Sequence, residues 1–289
     1  MSSQLEIDNI VAASGLRLSN PVVPSGSTDT GTKGDISWDS NYLYVCTSGD
    51  TWKRAALSTW SELPVAANLE LWLDANDSST ITLNGSTVSQ WDDKSGNDYH
   101  VSQGTASNQP TLTSSVLNSK NVLRFDGGDW LENLIATPVG GSTNRTIFIV
   151  ANYTGSSIDY LFYLGTASNS PSFGSVFGIS QETAVRVSNG NRIWATSVGS
   201  DHMILTISLD GTNITDVSAW QNGTALTISS TLGTQTINTG SRFYVGGPTA
   251  TVGNLLEGDI AEVIVYSSAL SASDRESVES YLSNKWGIT

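Results

Sequence analysis

The sequence has little charge. Acidic and basic residues fill 14% of its 289 positions, against roughly 25% in an average soluble protein. Basic residues are the scarcer kind: 13 Lys and Arg face 27 Asp and Glu, a formal net charge of −14. The densest basic point is Lys53-Arg54. A phosphate backbone repels such a chain, which argues against nucleic acid as a partner. The single cysteine, Cys46, excludes an internal disulfide, and with only His100 and His202 no Cys/His spacing suits zinc. No apolar run approaches the roughly 20 residues needed to span a bilayer, and the first residues lack the pattern of a secretory signal. The expectation is a soluble protein made in a cytosol, with no membrane insertion. Gly-x-Ser-x-Gly, Walker and Gly-x-Gly-x-x-Gly motifs are absent as well.

What is abundant is small and turn-forming: Ser, Thr, Gly and Asn supply 123 of 289 residues. Nine Trp and nine Tyr provide the large apolar anchors that disordered chains lack. Together these describe an all-β protein with many turns and a hydroxyl-rich surface.

Along the chain, residues 1–20 carry a weak apolar pattern, and residues 21–34 have a linker-like density of Pro and Gly. Three short strands follow, around Asp35–Asp39, Tyr42–Thr47 and Thr51–Arg54, a meander too small for a core of its own. From residue 68 the texture becomes strands separated by turn clusters. Thr146–Tyr153 and His202–Leu209 are apolar enough for central strands. Asn-Gly at 84, 189 and 222 and Asp-Gly at 126 and 210 supply the positive φ that tight hairpins demand. The regular spacing predicts a two-sheet β-sandwich. Only the last segment reads as a helix, with Ser271 as N-cap, Val278, Leu282 and Trp286 on one face, and Gly287 as C-cap. The expected division is 1–62, an anchoring or oligomerising segment, and 63–289, the sandwich.

Leu71-Trp-Leu-Asp-Ala, Val88-Ser-Gln-Trp-Asp-Asp-Lys-Ser-Gly-Asn, Val122-Leu-Arg-Phe-Asp-Gly-Gly-Asp-Trp-Leu and the closing Gly258-Asp-Ile-Ala-Glu-Val-Ile-Val-Tyr resemble concanavalin A-like, laminin-G-like domains. The resemblance covers about residues 65–289 and implies a jelly-roll of two antiparallel sheets; members of that family bind glycans or proteins, or serve as architecture. Gly34–Leu57 resembles a short β-element of fibre and appendage proteins of tailed bacteriophages. It implies a virion protein, assembled in the host cytoplasm and displayed as an external appendage. Its partners would be copies of itself, as a homotrimer, other virion proteins through the N-terminal segment, and a host-surface glycan.

Three kinds of chemistry are open to the residues. Glu257-Gly-Asp259-Ile-Ala-Glu262 resembles the Glu-x-Asp-x-x-Glu motif of β-glucanases, in which two carboxylates act as nucleophile and acid/base. In a regular strand Glu257 and Asp259 share one face and Glu262 the other, so a bulge would be needed to unite them. The match also lies later in the domain than the family's motif. Asp92-Asp93 and Asp126/Asp129 could supply calcium, the one cofactor left open, but such residues commonly cap loops. Glycan binding calls for exposed aromatics, and Tyr99, Trp130 and Trp194 near turn clusters fit it, whereas Trp72, Trp91 and Trp286 fall in core patterns. Both histidines read as structural. The resulting expectation is a non-enzymatic phage tail fibre or spike that binds a host glycan. The alternatives are a purely architectural capsid decoration or head fibre, or a glycan hydrolase using Glu257, Asp259 and Glu262.

Overall fold

The computed structural model describes residues 23–38, 42–56, 63–155, 159–165, 176–180, 184–187, 190–194, 200–232, 240, 242–248 and 254–289. The chain divides into two compact units, Met1–Glu62 and Leu63–Thr289.

The N-terminal unit is an antiparallel meander of β1 (Ile36–Trp38), β2 (Tyr42–Ser48) and β3 (Thr51–Ala56). Period-two alternation turns Tyr44 and Cys46 inward, where both are buried. Residues 23–34 are not a free linker, contrary to the reading of their Pro and Gly content. They lie along the meander, with the Trp52 N–H donating to Ser27 O and the Trp52 indole N–H to Asp29 O. Gly31 permits this approach, because a Cβ there would lie 2.7 Å from the Trp52 ring. The opposite face leaves Ile36 (51%) and Leu43 (36%) exposed.

The second unit opens with β4 (Leu69–Asp74), β5 (Ile81–Asn84), β6 (Thr87–Trp91), β7 (Val101–Ser102), β8 (Thr111–Leu117) and β9 (Lys120–Asp126). Next come β10 (Leu131–Asn133), β11 (Arg145–Ala151), β12 (Tyr160–Gly165), β13 (Val176–Ser180), β14 (Ala184–Val187) and β15 (Gly190–Trp194). It closes with β16 (Met203–Leu209), β17 (Val217–Gln221), β18 (Thr224–Ala225), β19 (Ile228–Leu232), β20 (Phe243–Val245), β21 (Glu257–Tyr266) and helix α1 (Ala272–Trp286).

The pairings give a two-sheet sandwich. In one sheet β21 is central: β11 takes one edge, while β9 and β4 share the other, β9 along Glu257–Ile260 and β4 along Glu262–Tyr266. β16 and β17 extend the β11 side. The second sheet runs β6, β7, β10, β20, β12, β13, β14, β15, β19. The apolar β11 and β16 are buried along their whole lengths. Their odd-numbered residues, Ile147, Ile149, Leu205 and Ile207, join Trp91, Phe162 and Phe243 in the inter-sheet core. Even-numbered neighbours such as Phe148, Val150 and Ile204 face outward into a second core, closed by Val278, Leu282 and Trp286 of α1. Ser271 accepts from the Asp274 N–H at the helix start, and Gly287 (φ 68°) ends it in the left-handed region. The 222–223 hairpin forms as its Asn-Gly pair dictates, with φ 48° and 77°.

One carboxylate fixes the helix to its sheet. Glu262, fully buried, accepts from the indole N–H of Trp72 and of Trp286, both at 2.6 Å, and from the Tyr281 hydroxyl at 3.1 Å. Lys285 lies 2.9 Å from Glu262 and 2.8 Å from Asp74, and Lys94 bridges Asp74 and Asp77. Burial pushes the Glu262 carboxyl upward against the opposing pull of Lys285. Removing one partner from a buried ion pair leaves an uncompensated charge. Glu262→Ala is therefore expected to cost about 3–5 kcal/mol, with Glu262→Gln costing less, in urea unfolding followed by tryptophan fluorescence. A loss within error for Glu262→Ala would contradict this account.

Candidate functional site

β21 contains the bulge that the carboxylate motif would need. Its register against β11 shifts between the Ile260 and Glu262 pairs. Ile260, Val263 and Val265 face the inter-sheet core, while Ala261, Ile264 and Tyr266 face the helix-side core. Consecutive residues Ala261 and Glu262 thus both project outward, and Glu257, Asp259 and Glu262 share a face. They still do not form one constellation. Glu257 is exposed, and Glu262 is sealed beneath α1. With one of the five intervening steps taken up by the bulge, four ladder positions, about 13 Å, separate those two, beyond the roughly 5–9.5 Å that glycosidase carboxylates span.

Asp259, between them, belongs to a polar row across four strands. Its two oxygens accept from Arg124 Nε (2.7 Å) and Nη2 (2.9 Å). Asn152, just past β11, accepts the Asp259 N–H at 2.7 Å and donates to Ser200 O. His202, just before β16, places Nε2 3.4 Å from Asp259 Oδ2. That separation is close enough for an ion pair when the imidazole is protonated. Burial alone would raise the Asp259 carboxyl; Arg124 and His202 overcome it and hold it below the usual range. The side chain of Arg124 remains half-exposed. Its paired nitrogens point at Asp259, so Nη1 is left for solvent or a ligand.

Two residues further along the same strands, Glu257 pairs with Asp126, which sets two exposed carboxylates on that face beside Arg124. From Asp126 the chain turns at Gly127 (φ 88°), whose N–H donates to Leu256 O, and crosses the rim towards the second sheet. Asp129, buried in this turn, accepts the Asp126 N–H at 3.1 Å. Its carboxyl is pushed up to about 6, first by burial and then by the Asp126 carboxylate beside it. Trp130 follows, half-buried, with its indole N–H on Glu132. This end of the sheet therefore gathers a cation and three carboxyl groups, a mixture of donors and acceptors suited to sugar hydroxyls.

Of the three aromatic candidates, Trp130 follows this turn but shares the outer face of the second sheet with Glu132, since Leu131 between them faces the inter-sheet core. Tyr99 packs half-buried against the inter-sheet core. Since Glu132 pairs with Ser102, Tyr99 and Trp130 lie five strand positions apart, about 16 Å. Trp194 ends β15 opposite Ile228, and its side chain lies outside the described residues. The calcium candidates serve loops: Asp93 accepts the N–H groups of Trp72, Ser95 and Tyr99, Asp92 accepts from Gln90, and Asp126 caps Gly128. Among the described residues no group of three His, Cys, Asp or Glu could hold a metal ion, and no helix is long and apolar enough to cross a membrane. Arg124 and Asn152 went unread in the sequence. The one signal was an arginine set in the apolar alternation Val122-Leu-Arg-Phe.

No family model matches the chain. Two curated phage proteins share a short segment with it. A depolymerase of Klebsiella phage K64-1, described as capsule K30/K69-specific, is 50% identical over 38 residues, 13% of this chain and 5% of that protein. A depolymerase of the same described specificity from Klebsiella phage K5-2 is 54% identical over 37 residues, again 5% of its length. Among solved structures, a Trypanosoma rangeli sialidase in complex with sialic acid superposes with a TM-score of 0.53 at 15% identity, covering 86% of this chain and 44% of the sialidase. That likeness establishes the β-sandwich fold. The depolymerase matches overturn the expectation of a non-enzymatic protein. That expectation rested on the failure of the Glu257/Asp259/Glu262 motif, on the absence of the other catalytic motifs and on two histidines read as structural, and did not weigh the carboxyl groups that folding gathers from β9 and the turn after it.

Asp129 yields a pH prediction. Its folded-state value of about 6 exceeds that of an unfolded aspartate, so the folded state binds the extra proton and stability falls as pH rises from about 4 to about 6. Asp129→Asn keeps an acceptor for the Asp126 N–H. It should flatten this slope and raise stability at pH 7 by about 1–2 kcal/mol, read by urea unfolding across pH 4–8. An unchanged slope would assign the dependence to another group.

Proposed function

We propose that this is a virion-associated protein of a tailed bacteriophage whose sandwich engages polysaccharide on the host surface through Arg124, Asp126 and Glu257 on one sheet face and through Trp130. The shared segment with two phage depolymerases carries the reading: a piece of under 40 residues that recurs at 50% identity or more in two much longer proteins behaves as a separable module. The N-terminal unit joins the protein to the particle and to copies of itself, as a homotrimer. The exposed Ile36 and Leu43 support self-association, since a three-stranded meander needs a packing partner for its apolar face. The sandwich, with the laminin-G-like motifs, meets the glycan.

A second reading, cleavage of the bound glycan, is favoured by Asp129. A carboxyl that keeps its proton to about pH 6, with Asp126 beside it and Glu257 across from Asp126, has the makings of an acid/base pair.

Two experiments test these readings. The intact protein on an array of host-surface polysaccharides should bind at least one of them, and Trp130→Ala should weaken that binding about tenfold through loss of ring stacking. If reducing ends are released, Glu257→Gln should abolish the release without abolishing binding. No binding to any host polysaccharide would leave an architectural role. In mass measurement of the full chain, Ile36→Glu combined with Leu43→Glu should convert the trimer to monomer; an unmodified protein that is already monomeric defeats the association.

A further inference from the structure

A second cleft lies away from the rim. A groove of about 470 Å³ runs between α1 and the β17–β18 hairpin, with Ile204 and Ile288 among its lining. One wall is a stripe of Glu276, Ser280 and Asn284, spaced four residues apart and so aligned on one helix face. The other wall is Asn222, locked in place because its Oδ1 accepts the Ile204 N–H (2.9 Å) and its Nδ2 donates to Thr289 O (3.3 Å). The stripe is not used to hold the fold together. The side chains of Ser280 and Asn284 are exposed and bond to no other described residue. Glu276 gives one oxygen to Arg275, which lies over the Trp220 ring, and keeps the other.

We propose that this groove is a subsite for a neutral oligosaccharide, a second point of contact for the polysaccharide of the preceding section, on which the proposal rests. A hydroxyl, a carboxamide and a carboxylate oxygen on one wall offer both donors and acceptors to sugar hydroxyls, above a floor in which Ile204 and Ile288 are buried. Glu276 and the net charge of −14 disfavour an anionic sugar. Among the described residues no aromatic ring lines the groove, so the grip is by hydrogen bonds and the affinity is in the millimolar range. A weak subsite distant from the rim contributes through avidity when one chain of polysaccharide reaches both.

The test is a titration of the full-length protein, isotopically labelled for NMR, with neutral tetrasaccharides of glucose, galactose, mannose and rhamnose. At least one should shift the Ile204 and Ile288 methyls and the Asn284 side-chain amide, saturating in the millimolar range. The double variant Ser280→Ala/Asn284→Ala, at exposed positions that spare the fold, should weaken the methyl shifts about tenfold and leave any response of the Trp130 indole unchanged. A uronate-containing tetrasaccharide should bind the groove less well. Equal methyl shifts in wild type and variant overturn the subsite, as does silence at the groove with the whole panel. Preference for the uronate overturns the neutral class. A rim response without a groove response leaves the proposed function standing, and that function fails separately if host polysaccharide does not bind.

Discussion

The second unit hangs on the burial of Glu262. An amphipathic helix of 15 residues has little stability alone in water, and apolar packing against a sheet allows it to slide. Two indole N–H groups, a phenol and an ammonium converging on one carboxylate do not. They set the helix in register with β21 and, through Trp72 and Asp74, with β4. The cost of burying the charge is offset because nearly every lone pair of the carboxylate is occupied. The outward face of the sheet thereby splits into a covered half and an open half. The polar row of Arg124, Asp259, Asn152 and His202 falls in the open half.

That division explains why an all-β protein of low charge keeps charged groups inside. Asp259 is as buried as Glu262 but is answered from a side chain that reaches solvent, so its environment couples the core to the surface. Asp129 has no such cation and holds a proton instead. Three acidic groups near one strand pairing thus have three different fates, decided by which cation each can reach.

Much of the architecture was legible from local pattern. Continuous apolar runs located β11 and β16 as central strands, the Asn222-Gly223 pair located its hairpin, and Ser271 and Gly287 bounded the helix. Trp72, Trp91 and Trp286 were readable as core because their spacing follows strand and helix periods. Other features depend on pairing distant in sequence and leave no local trace: Arg124 meets Asp259 across 135 residues, and Trp72 meets Glu262 across 190. The Glu257/Asp259/Glu262 motif could be found but not interpreted, since the fate of each carboxylate is set by neighbours on other strands. The Pro and Gly density of the segment before the meander pointed to a linker, whereas Gly31 there provides clearance for Trp52.

The bulge in β21 has one more effect. Against β11 the strand gains only one position between Ile260 and Glu262, so the extra residue turns the following side chains over without lengthening the strand's course. Regular alternation would have aimed position 262 into the inter-sheet core. The bulge turns Glu262 outward instead, to meet lysine and two indoles under the helix, while Asp259 is answered by arginine at the open end. A single β-strand thus carries two anions on one face, each with its own cation.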